Sequence, residues 1–250
     1  MRRAIGLFQV MAVTVVTFDL DHTLVRRPSG ETYTLKMRAI DHSLQKVFDL
    51  KNINYMAHIG HELYGMTDRS IMKMVLANLG IAPAEIDRKL EDLFREMLAY
   101  FETNLISHRD GEYVPLPGVK SLLDELKAKG VVCGLATGNY SRFARWKLDS
   151  VGLTEYFTFG GYGEDDEQRS RIVAIALERS GLKPPDRGCH FGDTPADIEA
   201  AAANDMLSVA ISSAGGGKFP AQVLNQAGAD LVLDSYLDSE KVFALFAARA

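Results

Sequence analysis

The sequence predicts an α/β fold in which a parallel-sheet core carries a separate all-helical insertion. Three observations predict it. From about residue 112 onward, short β-branched apolar runs alternate with helix-period segments, the rhythm of βαβ units. One further run, Val13–Val25 (VTVVTFDLDHTLV), stands alone near the start and opens too uniformly apolar for a strand with one wet face. Between the two, from about Tyr33 to Ser107, the periodicity is helical and no strand pattern occurs. A helical block inserted after a single strand reads as a domain of its own. The core is therefore expected at 11–25 and 112–250, and the helical domain at 26–111.

The elements follow in order. After the first strand, Arg26–Thr32 (RRPSGET) is a turn-rich exit. Leu35, Ile40, Leu44, Val47 and Phe48 suit one helical face. Thr67 is placed to cap a helix carrying Ile71, Met74, Val75 and Leu79, closed by Gly80. Pro83 opens the clearest amphipathic helix, with Ile86, Leu90, Leu93, Phe94, Met97, Phe101 and Leu105 at three- and four-residue spacing. In the core, helices are expected from Gly118 to Gly130, from a Ser141 cap through Leu148, from Gln168 to Ser180, from Ala196 to Asn204, near Ala221–Ala227 and at the end of the chain. Strands are expected at Val131–Thr137, Tyr156–Phe159, Gly188–Gly192, Leu207–Ile211 and Asp230–Leu233.

Composition narrows the class of function. The 250 residues are 47% hydrophobic and 24% charged with a net charge of −5, both signs interleaved, which excludes the basic face a nucleic-acid binder needs. No stretch reaches the ~18 apolar residues of a membrane span. Cys133 and Cys189 lie in separate strand-like runs and read as buried thiols of a reducing, cytoplasmic compartment. Met1-Arg2-Arg3 and the apolar residues after it have the order of a leader. They run straight into the first strand without a small-residue cleavage site, so residues 1–10 read as a dispensable extension.

Four segments carry chemistry, each at or just beyond a strand end, where open parallel sheets bind ligands. Asp19 and Asp21 leave the first strand two apart and so on one side. Two carboxylates placed together raise a pKa unless a cation lies between them, an arrangement of no use to a core and of direct use to Mg²⁺-assisted phosphoryl transfer. Thr137-Gly138-Asn139 ends the next strand, offering a hydroxyl and exposed backbone N–H groups to phosphate oxygens. Gly163–Arg171 (GEDDEQRSR) supplies Arg169 and Arg171 where a helix starts, either of which can neutralise a phosphoryl group. Gly192-Asp193-Thr194-Pro195-Ala196-Asp197 puts two carboxylates four apart on the first helical turn, the oxygen ligands that Mg²⁺ prefers. His190, on the apolar strand before them, reads as a core residue. In the helical insertion, Gly65–Arg69 is the segment expected to reach over this site, with Thr67 and Arg69 as donors to an anionic substrate.

Together FDLDHT, LATGN, EDDEQRSR and FGDTPAD resemble, in order, the four motifs of the haloacid dehalogenase-like superfamily, and the insertion resembles its α-helical cap, as in phosphoglycolate phosphatase-like members. The resemblance runs from Val13 to about Leu233. It implies a Rossmann-like core, Mg²⁺ as cofactor and a small phosphorylated substrate. It further implies Asp19 as the nucleophile that forms an aspartyl-phosphate, and Asp21 as acid and then base. Thr137, Gly138 and Asn139 would hold phosphoryl oxygens, with Asp19, the Asp21 carbonyl, Asp193 and Asp197 at the metal. Two departures stand out: the family's third-motif Lys is replaced by Arg169, with Arg171 as second choice, and His22 stands where Gly is common. Asp21 speaks against halide removal, which dispenses with that residue. A phosphomutase would keep both aspartates. A phosphonate hydrolase would want a cap lysine, for which Lys36, Lys46, Lys51 and Lys73 are available without a signature. A non-catalytic binding protein would have little reason to keep every charged motif position.

Overall fold

The computed structural model describes residues 13–28, 34–59, 63–105, 113–181 and 187–248. Six strands, β1 (Val13–Phe18), β4 (Val132–Ala136), β5 (Phe157–Gly161), β6 (Arg187–Gly192), β7 (Leu207–Ile211) and β8 (Leu231–Leu233), form one parallel sheet. Their order is β5-β4-β1-β6-β7-β8. The run that stands alone in the sequence is thus a central strand: Phe18 pairs with Leu135 on one side and Phe191 on the other. That position explains its lack of polar alternation, since helices cover both faces of such a sheet. Phe18 stacks on Phe191 at 4.6 Å and meets Phe157 edge-on at 5.9 Å. Burial of a side chain of this size contributes roughly 1.5–3 kcal/mol.

The covering helices are α4 (Val119–Ala128), α5 (Ser141–Ser150), α6 (Arg169–Ser180), α7 (Pro195–Ala202), α8 (Ala221–Gln226) and α9 (Ser239–Ala248). Ser141 is the first residue of α5 and not its cap. Tyr140 holds the cap position, and the Glu164 carboxylate accepts the Ser141 N–H in place of a capping hydroxyl.

The insertion consists of α1 (Leu35–Phe48), α2 (Asp68–Asn78) and α3 (Pro83–Leu105) around its own apolar cluster, in which Leu44, Val75, Leu93 and Phe101 are fully buried. Thr67 caps α2 by accepting the Ser70 N–H, and Gly80, at φ 78°, closes it in the left-handed conformation that glycine tolerates best. Sequence periodicity does not reveal the ribbon of β2 (Val25–Arg26) and β3 (Val114–Pro115), antiparallel strands of two residues each, too short to show a period. The ribbon ties together the two places where the chain passes between core and cap. Aromatic contacts close the same seam, with Phe94 of α3 stacked on Tyr140 at 4.1 Å and Phe101 edge-on to Phe143 at 4.8 Å. The proposed extension at residues 1–10 lies outside the described residues. No helix among the described residues is long and apolar enough to cross a membrane.

Candidate active site

Because all six strands of the main sheet are parallel, the segments after β1, β4 and β6 emerge along one edge of it. The Asp19 N–H donates to the Phe191 carbonyl at 2.8 Å, extending the β1–β6 pairing one step and fixing where the buried carboxylate begins. The chain then turns tightly: the His22 N–H donates to the Val25 carbonyl at 2.7 Å, and His22 takes φ 62°. That left-handed conformation favours glycine, which gives the histidine here a local cost. The turn brings back Asp21, whose side chain is 38% exposed.

Beyond β4, the Asn139 side-chain amide donates to Asp21 Oδ2 at 2.8 Å and to Thr137 Oγ1 at 3.0 Å. Between them, Gly138 lies under the cap. Its carbonyl accepts the Asp68 N–H at 2.8 Å, and a Cβ there would come within 2.5 Å of the Met66 carbonyl oxygen.

At the mouth of α6 the structure separates the two arginines. Arg169 is 9% exposed, its Nη1 donating to Asp19 Oδ1 at 3.1 Å and its Nε 3.1 Å from Asp197 Oδ1. Arg171 is 58% exposed and lies 3.9 Å from Asp166. After β6, Thr194 and Asp197 form a reciprocal capping box at the start of α7. Asp197 Oδ2 accepts the backbone N–H groups of Asp193 and Thr194, together with the Thr194 hydroxyl. Asp193 Oδ2 accepts the Lys218 N–H at 2.9 Å. Among the described residues one group has the spacing of a metal centre: buried Asp19, Asp193 and Asp197 each offer an oxygen within 4.8 Å of the others. His190 is a core residue, as expected, but a connected one. Its Nδ1 meets Thr17 Oγ1 at 2.9 Å, and its Nε2 lies 3.5 Å from Asp197 Oδ1.

The electrostatics follow from crowding acids out of water. Burial raises the Asp19 carboxyl to about 6 against the pull of Arg169. Burial and the neighbouring Asp197 and Asp19 push Asp193 well above the usual carboxylate range. Asp197 goes the other way, since Arg169 and His190 outweigh its burial. For Asp21, burial is likewise outweighed, here by Lys147.

Lys147 is the residue that sequence reasoning missed. Only 4% exposed, it places Nζ 2.8 and 2.6 Å from the two Asp21 carboxylate oxygens and 2.9 Å from Asn139 Oδ1. The available signal was its place on the apolar face of α5, in register with buried Phe143, Ala144 and Leu148. Lys36 of α1 reaches the same amide oxygen from the cap at 2.9 Å and pairs with Asp68 at 2.7 Å; burial lowers its pKa. Two expected donors do not arrive. The loop at Gly65 and Met66 does line the cavity. The Thr67 hydroxyl, however, is spent on capping α2, and Arg69 turns to Glu91 at 2.7 Å and the Tyr140 hydroxyl at 3.2 Å. Asp19, Asp21, Thr137, Gly138, Asn139, Arg169 and Asp193 border a cavity of about 280 Å³ between core and cap, with Asp197 behind it.

The chain is similar to known proteins in sequence and in fold. The family model for haloacid dehalogenase-like hydrolases matches residues 13–205. A phosphoglycolate phosphatase from Salmonella typhimurium is 23% identical over 232 residues, 89% of each chain. Among solved structures, β-phosphoglucomutase from Clostridium difficile superposes with a TM-score of 0.64 at 18% identity, over 95% of this chain and 98% of that one. CbbY from Rhodobacter sphaeroides, in complex with phosphate, gives a TM-score of 0.63 at 21% identity, over 90% and 95%.

Proposed function

The chain belongs to the haloacid dehalogenase-like hydrolases, and on that basis we propose that it is a Mg²⁺-dependent phosphatase of a small phosphorylated metabolite, acting through an aspartyl-phosphate on Asp19. The observation that carries this reading is the buried knot of Asp19, Asp193, Asp197 and Arg169 beneath a cavity between core and cap. Three carboxylates against one guanidinium leave an uncompensated negative charge away from water, which is why two of the acids hold their protons so strongly. An all-oxygen donor set with that deficit suits a hard divalent cation. Asp19, Asp193 and the Asp21 carbonyl would hold Mg²⁺, and Asp197 would support it by fixing Arg169 and the start of α7. Bound there, the ion supplies charge neutralisation for the phosphoryl oxygens.

The chain's own groups account for the remaining steps. The Asp19 carboxylate attacks phosphorus, forming an acyl phosphate as the ester C–O–P linkage breaks at phosphorus. Arg169, Thr137 and the Gly138–Asn139 backbone stabilise charge on the transferring group. Asp21 gives a proton to the leaving oxygen and recovers one from the water that hydrolyses the acyl phosphate. Lys147 and Asn139 aim it and favour its ionised form, the state the second role needs; the proton for the first role is the one it took from water in the preceding turnover. Likeness to a phosphoglycolate phosphatase supports hydrolysis over transfer. Lys36 supports a second reading, because a desolvated cap amine is what a carbonyl-bearing phosphonate would need in order to form an imine with loss of water.

Hydrolysis of p-nitrophenyl phosphate tests the first reading. Turnover is expected with Mg²⁺, absent in EDTA and restored on adding metal. Asp19→Asn should abolish it while the thermal transition remains. Substantial activity in that variant would overturn the mechanism, and borohydride trapping of a phosphonate on Lys36 would favour the second reading.

A further inference from the structure

Five of the chain's nine methionines, Met37, Met56, Met66, Met72 and Met97, line this one cavity. With Ile40, Ile71 and Phe94 they make the apolar part of the surface that faces the catalytic edge from the cap. Methionine is unbranched and polarisable, and it fits apolar bodies of varied shape. Several polar groups on that side have partners, and Arg27, exposed, donates to the Met37 sulfur at 3.7 Å and to no carboxylate among the described residues. The Thr34 hydroxyl caps α1, and Lys36 and Asp68 neutralise each other. The Tyr64 and Tyr113 rings lie under Lys218 and Lys147, at 5.1 Å in each case. Among the described cap residues lining the cavity there is no Asn, Gln, Ser, Glu or His. A polyol loses its water shell on entering a pocket and needs such groups in return.

Resting on the phosphatase reading, we infer that the substrate is a phosphate monoester with a compact apolar body, alkyl or aryl, and not a sugar or polyol phosphate. The Asp19–Arg169 edge takes the phosphoryl group and the methionine wall takes the hydrocarbon. The cavity, about 280 Å³, lies at the lower end of the range for ligand sites, which limits that body to a few carbons or one ring.

A series of n-alkyl phosphates from methyl to octyl, assayed on the Mg²⁺-loaded protein, tests this at nearly constant leaving-group chemistry. kcat/KM should climb by roughly three- to fourfold per methylene until the cavity is full, then level or fall. Butyl phosphate should exceed glycerol phosphate, its polar counterpart in size, by at least tenfold. Met97→Gln and Met72→Gln should flatten the climb, and Met→Leu at either position should keep it. Because the readout is a slope within one variant, a loss of folded protein scales every ester alike and leaves it unchanged. A flat series, or preference for phosphoglycolate or glycerol phosphate, overturns the inference. Alkylphosphonates, which are not hydrolysed, separate the two readings. Affinity that rises with chain length while no ester is turned over keeps the apolar site and sinks the phosphatase. Turnover without any chain-length dependence does the reverse.

Discussion

At the scale of the residue, the sharpest contrast is between Arg169 and Arg171, two apart on one helix and therefore about 200° apart around it. One is sealed between Asp19 and Asp197, the other is in water. Arg169→Ala should lower kcat by two to three orders of magnitude, consistent with a charge-stabilising contact worth roughly 3–4 kcal/mol. Arg171→Ala should stay near wild type, and Arg169→Lys should recover part of the rate as a point charge without the fork. Steady-state kinetics on the three variants decides it, and a loss confined to Arg171 would refute the assignment. Asp19, Asp21, Thr137, Asn139, Asp193 and Asp197 were legible because each stands where a strand pattern breaks into polar residues. Lys147 was not, and Lys36 stood out from Lys46, Lys51 and Lys73 by nothing in the sequence, because a buried lysine announces itself only through partners that folding brings to it. Thr67 and Arg69 show the converse: a donor type in the right loop says nothing of where its side chain is spent.

At the scale of the element, the segment after β4 and the segment before α2 touch backbone to backbone. Gly138 permits this, and Gly65, at φ 76°, makes the matching approach to α7, where a Cβ would sit 2.9 Å from that of Ala196. Gly138→Ala should therefore push the cap loop away while leaving the sheet intact. The expected result is a rise in KM with loss of kcat and faster proteolysis between core and cap, at little change in thermal midpoint. Unchanged proteolysis together with full activity would show that the loop has room to yield. Strands, helices and caps were readable here to within a residue or two, since propensity, period and capping agree along most of the chain. The β2–β3 ribbon was not readable, and its two-residue strands are defined by their pairing alone.

At the scale of the molecule, the acidic knot links metal, pH and stability. Asp19 titrates near 6 in the fold against an ordinary value of 3.8, and Asp193 is raised as well. Between those values the folded protein keeps a proton that the unfolded chain has released, so metal-free stability falls as pH rises from about 4 through 6. Asp21 and Asp197, depressed in the fold, have the opposite sign, and their contribution is lost only as pH falls below the ordinary range. The Tm of the metal-free protein should thus decline between pH 5 and 7. The Tm gained on adding Mg²⁺ should be larger at pH 7 than at pH 5, because the ion binds the ionised form. Asp19→Asn should flatten the metal-free decline. A Mg²⁺ shift independent of pH would show that these carboxylates do not share the ion.

The place of β1 in the sheet has a consequence in time. Thr17 of β1 and His190 of β6 are neighbours in space and 173 residues apart in sequence. At about 5–20 residues per second of synthesis, β1 leaves the ribosome on the order of 10 s or more before that flank exists. The helices α1–α3 emerge directly behind it and close a core of their own meanwhile. The β4 edge finds its partner sooner, Thr17 pairing with Gly134, while the β6 edge of an apolar strand stays open through that interval, the condition under which unpaired strands recruit wrong partners. Asp19, one residue beyond β1, is made early and seated late.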